Sequence, residues 1–218
     1  MLYFVLVWTG LCFACLVLGC WVLQRFAAHS IQRLSDRITL ALWLGFGVLS
    51  GFLMAVAIVV PLTPWVGLGT IALPVLASLW HRPTVAELIR WGQLLTSKRL
   101  RKTAVASYVF CCGVIALFSL QPVTWLDTGL YHYGFVRWLA DHGVTPGLAL
   151  INRQFGFVSA WFALLAPFNS GIMAGRASTV MNGFVLLLAL LQIVITLPQI
   201  WQGSGPIHSN GSQGNDTC

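Results

Sequence analysis

Residues 39–60 read TLALWLGFGVLSGFLMAVAIVV, a stretch without a single charged side chain. A helix needs about 20 apolar residues to cross the hydrocarbon core of a bilayer. Backbone groups in lipid must find their hydrogen bonds within the segment itself, so a helix is the expected conformation. The stretch therefore predicts a transmembrane helix and places the chain among integral membrane proteins.

The composition of the whole chain agrees with this prediction. Of the 218 residues, 58% are hydrophobic and only 8% are charged, whereas soluble domains carry about 25% charged residues. The mean hydropathy is +0.84. The net charge of +7 does not indicate nucleic-acid binding. Basic residues cluster in short segments between apolar ones, where membrane lipids are their expected partners.

Five apolar stretches are long enough to be predicted spans, namely residues 2–23, 39–60, 62–80, 103–120 and 179–200. Long apolar runs without period-two alternation exclude an outer-membrane barrel. The predicted fold is an all-α polytopic transmembrane helical bundle.

This bundle divides into four predicted regions. Residues 1–120 form four spans with basic connections, and residues 121–178 form a large external loop with one or two interfacial helices. Residues 179–200 form the fifth span, and residues 201–218 are a Gly/Ser/Asn-rich tail that is expected to be disordered.

Lysine and arginine predict the orientation. They are concentrated in two connections, as Arg25, Arg33 and Arg37 in the first and as Arg82, Arg90, Lys98, Arg99, Arg101 and Lys102 in the other. Cytoplasmic loops carry such an excess. We therefore predict that these connections are cytoplasmic and that residues 121–178 lie outside the cytoplasm.

Two local patterns predict helix contacts and helix ends. Gly47 and Gly51 have the GxxxG spacing that is typical of close helix packing in membranes. Thr84 and Glu87 have the spacing of a capping box, which predicts the start of an amphipathic helix on the basic side.

The external loop contains most of the polar residues that suit chemistry: Asp127, Tyr131, His132, Tyr133, Arg137, Asp141, His142, Arg153 and Arg176. Asp127 is predicted to cap a helix over residues 128–141, with Gly143 at its end and Pro146 beyond. The apolar run of residues 155–168 is short for a span, so it is expected to lie in or dip into the interface.

Each polar residue of the loop also has an ordinary structural interpretation, and the residues alone leave both open. Asp127 can serve only as a helix cap, and His132 as a hydrogen-bonded surface residue. The three arginines can reach lipid headgroups. His132 and His142 are ten residues apart and share no helix face, so no metal site is predicted from them.

The stretch WLDTGLYHYGFVRWLADHGVTPGLALINRQFGFVSAWFALLAPFN begins at Trp125. It resembles a family of large bacterial polytopic membrane proteins that is common in cyanobacteria. Members of that family show a similar D-T-G-L-Y-H segment, then a V-P-G-L turn and an R-F-G-F segment. The resemblance covers residues 125–177 and implies a bacterial inner-membrane protein.

That family is in turn similar to the GT-C superfamily of membrane glycosyltransferases, which take sugars from polyprenyl-phosphate carriers. The similarity implies that Asp127 is the acid of the first external loop and that residues 155–168 form the second interfacial helix. It also implies that Arg176 is the arginine that precedes the next span.

The resemblance assigns roles to the loop residues. Asp127 would be the catalytic base that deprotonates the acceptor hydroxyl, and His132 and Tyr131 would orient the sugar or tune Asp127. One of the arginines would hold the anionic lipid phosphate, and the candidates are Arg137, Arg153 and Arg176. The donor would be a polyprenyl-phosphate-linked sugar; a divalent metal is left open as a cofactor.

GT-C enzymes are much longer and have more spans, so the resemblance implies that this chain corresponds to the N-terminal part of such an enzyme. The alternative is a non-catalytic protein: a partner of another membrane protein, an assembly protein or a remnant. A transporter is disfavoured, because the spans contain almost no ionisable residues and show no inverted repeat.

Overall fold

The computed structural model describes residues 1–26, 31, 33–96, 102–121, 128–156, 159–169, 171 and 174–203. The helices are α1 (Leu2–Phe26), α2 (Leu34–Val59), α3 (Pro64–Trp80), α4 (Arg82–Thr96), α5 (Lys102–Phe118), α6 (Tyr133–His142), α7 (Leu148–Ile151), α8 (Ala160–Leu165) and α9 (Ala177–Gly203). The described residues also include a π-helical turn over Thr128–His132 and 3-10 turns over Arg153–Gly156 and Ala166–Phe168.

The all-α prediction is confirmed, since the described residues contain helices and no strand. In the part of the chain that the structure describes, three helical segments are long and apolar enough to cross a membrane: Leu2–Phe26, Leu34–Val59 and Ser178–Thr196. The other two predicted spans form shorter apolar helices over Pro64–Trp80 and Ala104–Phe118. The tail begins later than predicted, because α9 continues to Gly203; residues 204–218 lie outside the described residues.

Helices α1 and α2 pack so closely that their backbones touch. A Cβ atom on Gly19 would overlap the carbonyl oxygen of Ala41, and a Cβ atom on Gly45 would overlap that of Cys15. In lipid there is no hydrophobic driving force between helices, so they associate through close packing. Small residues permit that close approach of the two backbones. The predicted packing role of Gly47 and Gly51 is wrong, because a Cβ atom on either would meet no atom within 4 Å.

Helix α9 closes the bundle beside α1 and α2. The indole nitrogen of Trp8 donates a hydrogen bond to the carbonyl oxygen of Val180 at 2.6 Å. Further along, the indole nitrogen of Trp43 donates to Oε1 of Gln192 at 3.1 Å. Phe184 is buried against the ring of Phe46. These contacts bring both ends of the described chain into one core.

The segment around α8 enters this core instead of lying on its surface. Residues 163–168 are all buried. The ring of Trp161 lies 6.3 Å from that of Phe46, which is in the middle of α2. On the other side, Pro167 packs against Gly67 of α3, where a Cβ atom would come within 2.7 Å of the proline ring. The segment is therefore packed inside the bundle, and its predicted position relative to the membrane interface stays a prediction.

The contact between α1 and α2 predicts a difference between two neighbouring glycines. Gly45→Ala places a methyl group on the backbone of Cys15, and overpacking of this kind costs about 1–3 kcal/mol. Gly47→Ala is the matched control on the same helix, with free space around the added methyl group. In thermal unfolding of the detergent-purified protein, Gly45→Ala should lower the midpoint and Gly47→Ala should not. Equal midpoints would contradict the packing.

Candidate functional site

Two groups of polar residues lie at opposite ends of α2. At its C-terminal end, the amide of Val144 donates to the carbonyl oxygen of Ala57 at 2.7 Å, and the amide of Leu62 donates to that of Leu139 at 2.9 Å. These bonds hold α6 on the connection between α2 and α3. The other group surrounds Arg37, in the first turns of α2.

The polar residues at the C-terminal end of α2 belong to a larger segment that we call the platform. It comprises residues 128–156, 159–169 and 174–178. Asp127, the predicted base, lies immediately before it and outside the described residues. The predicted helix over residues 128–141 is present, with its first five residues in a π-helical turn. It ends as expected at Gly143, whose φ of 71° is a conformation that favours glycine.

His132 takes part in aromatic packing. Its ring centroid lies 4.3 Å from that of Tyr131 and 5.2 Å from that of Phe162 on α8. Phe162 also packs edge-on against Phe135. His132 and Tyr131 are partly buried, so both help to join the start of the platform to α8. Their predicted roles toward a sugar stay predictions.

The three predicted phosphate ligands do not share one environment. Arg137 is exposed and forms an ion pair with Asp141 one helical turn away, at 3.5 Å. Arg153 is exposed in its 3-10 turn. Arg176 is partly buried and lies close to Tyr133. No described carboxylate lies within ion-pair distance of Arg176.

The turn before α9 fixes the position of Arg176. Gly175 has a φ of 80°, and its amide donates to Oδ1 of Asn169 at 2.8 Å. Tyr133 lies against this turn. Burial raises the pKa of Tyr133, and Ser178 and the charge of Arg176 partly oppose that rise. The sequence analysis assigns a site role to Tyr131 and none to Tyr133, although it lists both, and the fold brings Tyr133 beside Arg176.

The second group, which we call the basic-end network, is centred on the carboxylate of Glu87. Its Oε1 accepts hydrogen bonds from Arg37, with the closest guanidinium nitrogen at 2.7 Å. Its Oε2 accepts from the amide of Gln24 at 3.0 Å and from the thiol of Cys20 at 3.2 Å. The network therefore joins α4 to the end of α1 and to the start of α2.

This arrangement overturns the capping box predicted for Thr84 and Glu87. Helix α4 begins at Arg82, so Thr84 is already inside it. The hydroxyl of Thr84 is buried and donates to Oε1 of Gln24 at 3.4 Å, while Nδ1 of His81 lies 2.8 Å from it. Both side chains bond to other helices instead of to the backbone of their own first turn. The predicted amphipathic helix is nevertheless present, with Trp91 buried and Arg90 exposed.

The network lowers the pKa of Glu87. Burial acts to raise this pKa, but the hydrogen bonds from Gln24, Cys20 and Arg37 and the charge of Arg37 outweigh it. The carboxylate is therefore the form that the folded protein favours. Across the described residues, no cluster of three or more histidine, cysteine or acidic side chains is arranged to hold a metal ion.

Comparison with known proteins gives one match. A family model for a domain of unknown function, DUF8201, matches residues 1–208. Because the match covers most of the chain, the chain belongs to this family. No curated protein and no solved structure matches it.

The basic-end network predicts an acid-dependent loss of stability. Since the pKa of Glu87 is lowered by folding, its contribution is complete above the ordinary value of 4.5 and is lost as the pH falls through the folded value. Glu87→Gln should cost about 1.5–3 kcal/mol near pH 7, the range for hydrogen bonds to charged groups. The variant should also show a weaker pH dependence. Thermal unfolding from pH 7 down to about pH 3, below the ordinary pKa of the carboxyl group, measures both; parallel curves of equal midpoint would refute the assignment.

Proposed function

We propose that this DUF8201 protein is a five-span membrane protein of bacterial origin whose platform faces out of the cytoplasm and handles a polyprenyl-phosphate-linked sugar. In this proposal it corresponds to the N-terminal part of a GT-C-like glycosyltransferase. The carrier tail stays in lipid, and the phosphate and sugar lie on the platform.

The ends of α3 support its assignment as a span. A helix of 17 residues is roughly 25 Å long, a little less than the hydrocarbon core of a bilayer. Trp65 and Trp80 stand at its two ends and are 80% and 88% exposed. Tryptophan is enriched at both membrane interfaces. Helix α5 has the same length and packs beside α9, where Thr179 donates to the carbonyl oxygen of Ser119 at 3.2 Å.

Arg176 carries the functional proposal. A partly buried guanidinium without a carboxylate partner is costly in a protein. An anionic ligand would offset this cost, and phosphate matches the planar donors of arginine. Arg37, the other partly buried arginine among the described residues, is paired with Glu87. Arg176 is therefore the described arginine best suited to the phosphate of a lipid-linked donor.

The remaining chemistry follows from the order of residues along the platform. Asp127 directly precedes the π-helical turn, and we assign it as the base that takes the proton of the acceptor hydroxyl. The hydroxyl then attacks the anomeric carbon of the sugar, and the lipid phosphate leaves with the bonding electrons. Arg176 would stabilise the charge that develops on the departing phosphate. Tyr133 would position Arg176 from the side.

One observation favours the alternative of a non-catalytic partner or assembly protein. Helix α7 presents Leu150 and Ile151 at 92% and 88% exposure. Two adjacent, fully exposed aliphatic side chains suit either insertion into the interface or contact with another membrane protein. In this alternative the platform is a binding surface without turnover.

Binding of undecaprenyl phosphate to the purified protein tests the proposal. Arg176→Ala should weaken binding by about 10-fold or more, the loss expected for charge-assisted hydrogen bonds. Arg137→Ala, which removes an exposed arginine already paired with Asp141, is the matched control and should leave binding unchanged. Equal affinities of the three proteins, or no binding by any of them, would refute the phosphate site.

Asp127→Asn separates catalysis from binding. This variant should insert into membranes and bind undecaprenyl phosphate as the parent does, but it should form no glycosylated product in membranes supplied with labelled lipid-linked sugar. Product formation equal to that of the parent would remove Asp127 as the base. Retained binding without product in the parent itself would favour the non-catalytic alternative.

A further inference from the structure

A cavity opens at the basic end of the bundle, away from the platform. It has a volume of about 600 Å³ and lies between the last turns of α1 and the end of α3. The described residues that line it are Trp21, Gln24, Arg25, Ala77, Trp80 and His81. Neither the proposed transferase chemistry nor the family match assigns a role to this cavity.

The wall of the cavity is held in place by the basic-end network. The amide nitrogen of Gln24 bonds to Glu87 and Cys20, and its oxygen accepts from Thr84. Nδ1 of His81 lies 2.8 Å from the hydroxyl of Thr84. Both side chains are therefore oriented by neighbours outside the cavity, so the wall is built before any ligand arrives.

One donor of this cavity has no ion-pair partner among the described residues. The guanidinium of Arg25 is exposed, and no described carboxylate lies within ion-pair distance of it. The indole nitrogen of Trp21 is buried, so this residue lines the cavity with its ring and not with its N–H group. An anionic ligand would pair with the guanidinium of Arg25.

The charge of the cavity selects an anion. Arg25 carries a positive charge. The carboxylate of the network, that of Glu87, is already paired with Arg37 at 2.7 Å. A quaternary ammonium between the two indole rings is disfavoured, because Arg25 would repel it.

The indole rings select an amphiphile. Trp80 is 88% exposed at the end of α3, and tryptophan at a helix end is typical of the membrane interface. Basic pockets between transmembrane helices on the cytoplasmic side bind the headgroups of anionic lipids. We infer that this cavity binds the phosphate headgroup of an anionic phospholipid, which accepts hydrogen bonds from Arg25 while its acyl chains remain in the bilayer beside the two indole rings.

Native mass spectrometry of the full chain, with lipids added back to the delipidated protein, tests this inference. The parent should retain phosphatidylglycerol in preference to phosphatidylcholine. Arg25→Ala should weaken phosphatidylglycerol binding by about 10-fold. Trp21→Phe, which keeps an aromatic ring and removes only the buried N–H group, should bind phosphatidylglycerol as the parent does. Arg90→Ala is the matched control, because Arg90 is exposed on α4 and does not line the cavity.

Three results would overturn the inference. They are equal retention of the two lipids, an Arg25→Ala variant that binds as the Arg90→Ala variant does, and displacement of phosphatidylglycerol by millimolar inorganic phosphate. The last result would identify a site for a soluble anion. The experiment is independent of the platform, because loss of undecaprenyl phosphate binding in Arg176→Ala leaves the lipid at Arg25 unaffected.

Discussion

The backbone contact between α1 and α2 is the constraint on which the rest of the structure depends. Gly19 and Gly45 have no side chains, so each helix lies directly on a carbonyl oxygen of the other. This approach sets the distance between Gln24 at the end of α1 and Arg37 at the start of α2. Because that distance is fixed, the single carboxylate of Glu87 can accept hydrogen bonds from Gln24 and from Arg37.

The same contact determines what happens at the other end. Because α1 covers one side of α2, the side that carries Phe46 is left to receive α8 and α9. The inward position of α8 then carries His132 and α6 with it through Phe162. The platform is thus a part of the folded bundle, and its polar residues are held at the end of α2 that lies opposite Glu87. This separation of two polar ends by an apolar middle is what a protein embedded in a bilayer requires.

The sequence predicts the elements better than their contacts. Uninterrupted apolar runs identify α1, α2 and α9, and Gly143 and Pro146 correctly mark the end of the helix in the loop, because these signals are local. The GxxxG spacing predicts the helix contact at the wrong glycines. GxxxG spacing marks Gly47 and Gly51, but the face that packs is decided by the neighbouring helix, and that face carries Gly45. Likewise, Thr84 and Glu87 fit a local capping pattern, yet partners on α1 and α2 outcompete the helix backbone.

The candidate sites show the same limit. Arg176 is implied by the resemblance to GT-C enzymes. Nothing local distinguishes Tyr131 from Tyr133, and only the turn at Gly175 brings Tyr133 beside the arginine. The cavity at Trp21 and Arg25 has no sequence signature, because its walls come from helices more than fifty residues apart. Long-range juxtaposition of this kind is not contained in spacing or periodicity.

The central claim is that the platform and the basic-end network face opposite sides of one membrane. Cysteines placed at Leu150 on α7 and at Arg90 on α4 report on the two ends, in a chain whose Cys218 is replaced by serine. The parent without an added cysteine measures labelling of its native thiols. A membrane-impermeant maleimide applied to intact spheroplasts should label Leu150→Cys at once and Arg90→Cys only after permeabilisation. Labelling of both positions from the same side would contradict the account.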